Sequence, residues 1–270
     1  MFTILRTLIA SLLIIAHTQA SDTHFAVVVP SYNNELWVQQ NLQSLATQDY
    51  SNWSLYYIND CSTDQTGKRA EELVKELHLK SKTTLIHNTE RHGALANIYN
   101  TVQQCKPHDV IVLLDGDDRL AHSTVLSHLA HVYADSTVWM TYGSFVCDPP
   151  GGTKTTCESI PEKVARKNRF RKHSWVTSHL RTFYAKLFHL IKKEDLLWEG
   201  EFFPTTWDLA IMFPLLEMAS HGHYKYIQEV LYVYNTQNPL MDRKIHGKLQ
   251  RKLGKYIRAK ERYQPIDTLF

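Results

Sequence analysis

The chain has 270 residues, 43% of them hydrophobic, 21% charged and 11% aromatic. This composition supplies a sizeable core and excludes a disordered, collagen-like or low-complexity protein. With 30 basic and 27 acidic residues the net charge is +3, too balanced to argue for a nucleic-acid partner.

Residues 1–20, MFTILRTLIASLLIIAHTQA, carry Arg6 as their one charge, and Leu8 to Ala16 is apolar except for Ser11. The stretch is short for a bilayer span, and Thr18 and Ala20 offer the small residues of a cleavage site. The expectation is a signal peptide at 1–20, with the rest exported: secreted, periplasmic, or in the lumen of the endoplasmic reticulum or Golgi. Export permits disulfides. Cys147 and Cys157 flank a turn-rich Asp-Pro-Pro-Gly-Gly segment and are the pair expected to bridge.

Phe25 to Val29 (FAVVV) reads as a buried strand closed by Pro30. Asn34 is placed to cap a helix reaching Ala46. Leu55 to Ile58 is a second strand, and Asp64 can cap a helix in which Ala70, Leu73, Val74 and Leu77 form one apolar stripe. Thr83 to Ile86 gives a third strand and Ala94 to Val102 a helix. Val110 to Leu114 is wholly apolar, as in a parallel strand covered on both faces. Beyond residue 150 the alternation fades. Tyr226 to Tyr234 reads as a last strand and 243–262 as a basic helical tail.

Strands alternating with helices predict an α/β fold with a mostly parallel sheet and helices on both faces. Ligands of such sheets sit beyond the carboxyl ends of the strands. There the sequence places Pro30–Asn34, Asn59–Asp64, His87–Gly93 and Asp115–Asp118, all polar. Asp115, Asp117 and Asp118 crowd three carboxylates on one turn. Their mutual repulsion raises their pKa values unless a cation is present, and carboxylate oxygens suit Mg²⁺ or Mn²⁺. Gly116 lets the backbone approach a ligand closely.

The motifs VVPSYN (28–33), INDCSTD (58–64), Asn88 to Asn97 and LLDGDD (113–118) follow in order. Together they resemble the family 2 glycosyltransferases, densely over residues 25 to about 120 and thinly beyond. The resemblance implies a GT-A, Rossmann-like fold in a single domain. Residues 24–120 would form the nucleotide-sugar half, 121–240 the acceptor half and 241–270 a basic tail. It further implies a UDP-sugar donor, a divalent metal (Mn²⁺ or Mg²⁺) at the diphosphate, and transfer with inversion to a hydroxyl of a glycan, lipid or protein.

By that resemblance Pro30 and Tyr32 line the uridine pocket, with Asn34 beside them, and Asp60 accepts from the base. Arg91, Gly93 and Asn97 lie near base and ribose. Asp115 or Asp117 touches the ribose, and Asp117 or Asp118 holds the metal. His246 is the third ligand, with Asp242 as its competitor. Asn59-Asp60-Cys61 departs from the usual Asp-Asp-Gly, so the turn at Cys61 is expected to take a different backbone. The general base falls to Asp208, in the first turn of a helix continued by Leu209, Met212, Phe213 and Leu216. Glu199, Glu201 and Glu217 are its competitors.

Trp175, Trp198 and Trp207 offer sugar-stacking faces or core packing. His179 or Arg181 could face the diphosphate. Six basic residues between Lys163 and Lys172 suit a loop over the phosphates, an acidic-acceptor site or a solvated face. The basic tail could lie on a membrane surface. Two other functions compete: a nucleotidyltransferase of similar fold, although no phosphate-binding GxxxxGK[ST] loop is present, and a non-catalytic sugar-binding protein.

Overall fold

The computed structural model describes residues 23–151 and 157–270; the expected signal peptide at 1–20 lies outside them. Chain order runs β1 (Phe25–Ser31), α1 (Val38–Ala46), β2 (Trp53–Asn59), α2 (Thr66–Glu76), β3 (Thr83–His87), α3 (Ala94–Val102), β4 (Val110–Leu113), β5 (Arg119–Leu120) and α4 (Val125–Tyr133). Next come β6 (Met140–Asp148), α5 (Glu162–Arg166), β7 (Ser178–Tyr184), α6 (Ala185–His189), β8 (Leu197–Trp198), β9 (Glu201–Phe202) and α7 (Trp207–Met218). The chain closes with β10 (Tyr224–Asn235), α8 (Asp242–Ile245) and α9 (Gly247–Ala259).

The main sheet has eight strands in the order β3-β2-β1-β4-β7-β6-β10-β5. β3, β2, β1 and β4 are parallel neighbours, whereas β7 enters antiparallel between β4 and β6. Every residue of β1 and β4 is buried, which is why their sequences are unbroken apolar runs. Alternate residues face opposite layers. Phe25, Val27 and Val29 pack with α1, α2 and α4, while Ala26 and Val28 pack with α3, α6, α7 and α9.

Several sequence expectations shift. Asn34 does not cap α1; its carbonyl accepts from the N–H groups of Trp37 and Val38 in a preceding turn, and the helix begins at Val38. Asp64 does serve α2, accepting from the N–H and hydroxyl of Thr66. The tail breaks into α8 and α9 around His246. Two central strands, β6 and β7, lie where no alternation was legible. Among the described residues no disulfide is present. The Cys147–Cys157 bridge is therefore not formed: Cys147 sits in β6, and the Cys157 thiol is held against Ser178. Among the same residues, no helix is long and apolar enough to cross a membrane.

Candidate functional site

The carboxyl ends of β1 and β4 open into a cleft of about 550 Å³. Pro30, Tyr32 and Asn34 reach it from the end of β1, Arg91 from the loop after β3, and Asp115 and Asp117 from the turn after β4. His179 and Arg181 enter from β7, Trp207 and Asp208 from the start of α7, and Asp242, His246 and Gln250 from the tail. The fold thus gathers Pro30, Tyr32, Asn34, Arg91, Asp115, Asp117, Asp208 and His246 around one cleft, together with the further candidates His179, Arg181, Trp207 and Asp242.

Four others do not line it. Asp60 is buried and accepts from Asn88 Nδ2 at 2.8 Å, from the His92 N–H at 2.9 Å and from the Gly93 N–H at 2.8 Å. Burial alone would raise this carboxyl. The nearby Asn97 amide and the hydrogen bonds from His92, Asn88 and Gly93 outweigh it and hold Asp60 below the usual carboxylate range. Asp60, Gly93 and Asn97 therefore shape the loop that carries Arg91, whose guanidinium lies 3.8 Å over the Tyr32 ring. Cys61 takes a left-handed backbone, at φ +57°, a region that glycine adopts most readily; its thiol donates to the Thr89 carbonyl.

The acidic turn separates into distinct jobs. Asp118, the fourth, is buried, with the Tyr232 hydroxyl 2.5 Å and the Asn235 N–H 2.6 Å from its two oxygens. Asp117 accepts from Asn238 Nδ2 at 2.6 Å. Burial and the neighbouring Asp117 carboxylate push Asp115 up, against the pull of Arg181. Burial raises Asp118 as well, with Asp117 and Asp115 adding repulsion. Gly116 lines the cleft between Asp115 and Asp117, and a side chain would not fit there: a Cβ would meet Ser31 Oγ at 2.5 Å and Asn34 Nδ2 at 2.8 Å.

Asp115, Asp118 and His179 each offer one ligand atom, all within 4.8 Å of one another. His179 is buried, stacks 4.3 Å from Tyr232, and is kept neutral by burial and by the Arg181 charge. A neutral ring retains a lone pair for a metal. Two carboxylates close enough to repel each other, with a neutral imidazole beside them, form a donor set that fits a divalent cation such as Mn²⁺. His246 lines the cleft but does not join this cluster. Sequence reasoning set His179 against the diphosphate and missed its place beside Asp115 and Asp118.

Asp208 lies at the N-terminus of α7, its Oδ1 accepting from the Leu209 N–H at 3.0 Å. Its Oδ2 is 3.3 Å from Arg181 Nη2. Burial raises its carboxyl, and Arg181 opposes the rise. The competitors stand elsewhere. Glu199 and Glu201 are exposed, and buried Glu217 pairs with Arg171. Of the three tryptophans only Trp207 reaches the cleft; Trp175 packs edge-on to Phe213, and Trp198 lies under Lys252.

The family model described as "Glycosyl transferase family 2" matches residues 26–191. The poly(ribitol-phosphate) beta-N-acetylglucosaminyltransferase TarS of Staphylococcus aureus is 31% identical over 110 residues, 40% of this chain and 18% of that protein. The chain thus spans less than a fifth of the length of that relative. The crystal structure of S. aureus TarS 1-349 in complex with UDP-GlcNAc aligns with a TM-score of 0.58 at 16% identity, over 80% of this chain and 59% of that one. Glucosyl-3-phosphoglycerate synthase of Mycobacterium tuberculosis, in complex with Mn²⁺, UDP and glucosyl-3-phosphoglycerate, aligns with a TM-score of 0.56 at 15% identity, over 87% of this chain and 80% of that one. The architecture is the GT-A fold of these transferases.

Proposed function

The chain belongs to glycosyl transferase family 2, and we propose that it is a glycosyltransferase whose cleft takes a UDP-sugar and passes the sugar, with inversion, to an acceptor hydroxyl. The observation that carries this reading is the clustering of Asp115, Asp118 and His179, of which Asp115 and His179 line a cleft that also holds Asp208 and the Tyr32–Arg91 stack while Asp118 sits buried behind them. The UDP and Mn²⁺ bound by the structural neighbours support the donor class and the metal.

Tyr32 and Arg91 present a flat stacked surface for the base, and Asp60 fixes the loop that carries Arg91. Asp115 and Asp118, with neutral His179, would hold the metal, and Asp117 would stay with Asn238 at the edge of the donor site. A divalent cation bound there supplies Lewis-acid stabilisation of charge on the leaving diphosphate. Asp208 takes the proton from the acceptor hydroxyl at its Oδ2, and Arg181 keeps that carboxylate ionised and oriented. Trp207, beside Asp208, offers a face for the acceptor sugar or side chain. The reading includes export, which rests on residues 1–20 alone.

The test is incubation of the purified chain with a panel of UDP-sugars and Mn²⁺, following UDP release. Wild type should release UDP from at least one donor. Asp208→Asn should lose about 100-fold or more of that rate while still binding UDP. Wild type that neither binds UDP nor hydrolyses any donor would contradict the proposal.

A further inference from the structure

The basic run at 163–172 does not cover the cleft. With the end of α9 it builds a separate pocket of about 310 Å³, whose charged lining is Arg169, Arg171, Lys172, Arg258, Lys260 and Arg262. Two of these cations have carboxylate partners: Arg171 with Glu217 and Lys260 with Asp195. The other four have none among the described residues, which leaves a concave wall with four uncompensated positive charges. Arg258 is partly buried and fixed in place, donating through Nη1 to the carbonyls of Arg171 and His173 at 2.7 and 2.8 Å. Carbonyl contacts orient a guanidinium but do not neutralise it, and a half-buried cation without a counter-ion is costly. A phosphate oxyanion meets that need, because guanidinium groups bind phosphate in a planar, two-point geometry.

The position of the pocket identifies what would bring the oxyanion. Gln250 lines the cleft and Arg258 lines the pocket, eight residues apart on α9, or about 12 Å at 1.5 Å per residue. Gln250, Gly254 and Arg258 follow at i, i+4 and i+8, one ridge of the helix. Exposed Arg251 and Lys255 form the adjacent row. A basic track thus leads from the acceptor side of the cleft to the pocket.

We propose that this pocket holds a phosphate group of an anionic acceptor chain, so that one unit of the chain enters the cleft while a neighbouring unit is held by Arg169, Lys172 and Arg258. The acceptor role rests on the transferase reading above; the oxyanion site rests on the pocket alone. A concave site with a fixed guanidinium at its wall favours a discrete phosphate on a chain over a flat anionic membrane.

The test uses the full chain and labelled long-chain inorganic polyphosphate as the probe, read by fluorescence anisotropy. Arg258 braces two carbonyls, so the variant is Arg169→Ala/Lys172→Ala, whose side chains are exposed and carry no ion pair. Wild type should bind polyphosphate in a salt-sensitive way, and the double variant should bind about tenfold more weakly with unchanged affinity for UDP in Mn²⁺. Equal polyphosphate affinity in the two proteins would overturn the proposal. So would capture of wild type by phosphatidylglycerol vesicles without binding of polyphosphate, which would assign the charge to a membrane. Failure of wild type to bind UDP would instead overturn the transferase reading, and with it the acceptor role given to the pocket.

Discussion

Arg181 and Asp208 face each other across the cleft floor, with guanidinium Nη2 3.3 Å from carboxylate Oδ2, the arginine buried and the aspartate open to the cleft. Burial raises the Asp208 carboxyl and Arg181 restrains that rise. A base must be ionised to act, so the rate falls as pH drops through the Asp208 pKa. Replacing Arg181 with Met removes the restraint and should move the acidic limb of kcat/KM to higher pH. Arg181→Lys should leave it nearer the wild-type position. Profiles of donor turnover against pH give the measurement; a limb that stays in place in Arg181→Met would separate Arg181 from the base.

Asp60 makes a prediction about stability. Its carboxyl is depressed in the folded protein because the hydrogen bonds of the 88–97 loop outweigh the burial that would raise it. A depressed carboxyl contributes stability at pH values above its unfolded pKa and loses it as pH falls through the folded pKa. Asp60→Asn keeps one acceptor oxygen and turns the other into an NH₂ donor facing the N–H of either His92 or Gly93, which should cost about 1–3 kcal/mol at neutral pH. Urea denaturation should show the gap between wild type and variant narrowing as the medium is made acidic. A gap independent of pH would contradict the charge-based account.

The buried pair Arg171–Glu217 joins α7 to the tail. Arg171 Nε and Nη2 donate to the two Glu217 oxygens at 2.6 and 2.8 Å, Arg171 Nη1 donates to the Ile257 carbonyl, and the Tyr263 N–H donates to Glu217. Glu217→Gln leaves the guanidinium uncompensated and should cost about 3–5 kcal/mol. A paired replacement, Arg171→Met with Glu217→Leu, should cost less, because neither partner is then left charged and alone. Equilibrium unfolding of the two variants distinguishes the cases; equal losses would argue against the desolvation argument.

Gly116 tests the acidic turn by shape. Ser31 Oγ and Asn34 Nδ2 crowd its Cα, and both are tied down: Asn34 donates to Ser31, and Tyr57 donates to Ser31 at 2.9 Å. Gly116→Ala should therefore destabilise the protein by about 1–3 kcal/mol and weaken UDP binding by shifting Asp115 and Asp117. Calorimetric melting with and without UDP gives both quantities.

The parallel half of the sheet was legible because strands buried on both faces spell continuous apolar runs, as in Val27–Val29 and Val110–Leu113. β7 and its pairing with β6 were not legible. Thr141 and Thr182 bond to each other at 2.7 Å inside the sheet, with the Tyr133 hydroxyl also on Thr182, so buried threonines interrupt the apolar pattern. His179 stayed apart from Asp115 and Asp118 in the sequence reading because only the insertion of β7 beside β4 brings it there. The separate roles of Asp117 and Asp118 were hidden for a similar reason: their partners Asn238, Tyr232 and Asn235 lie more than a hundred residues away. The place of Asp208 in the first turn of α7 was legible because an acidic residue opening a long apolar helix is a local signal.

The central claim is that Asp115, Asp118 and His179 create a cation-dependent site for a nucleoside diphosphate. Titration calorimetry of UDP into the purified chain, in Mn²⁺ and then in EDTA, tests it most directly. The account predicts saturable UDP binding in Mn²⁺ that disappears in EDTA and in both Asp115→Asn and His179→Ala. Equal UDP affinity with and without the metal, or in wild type and both variants, would contradict it.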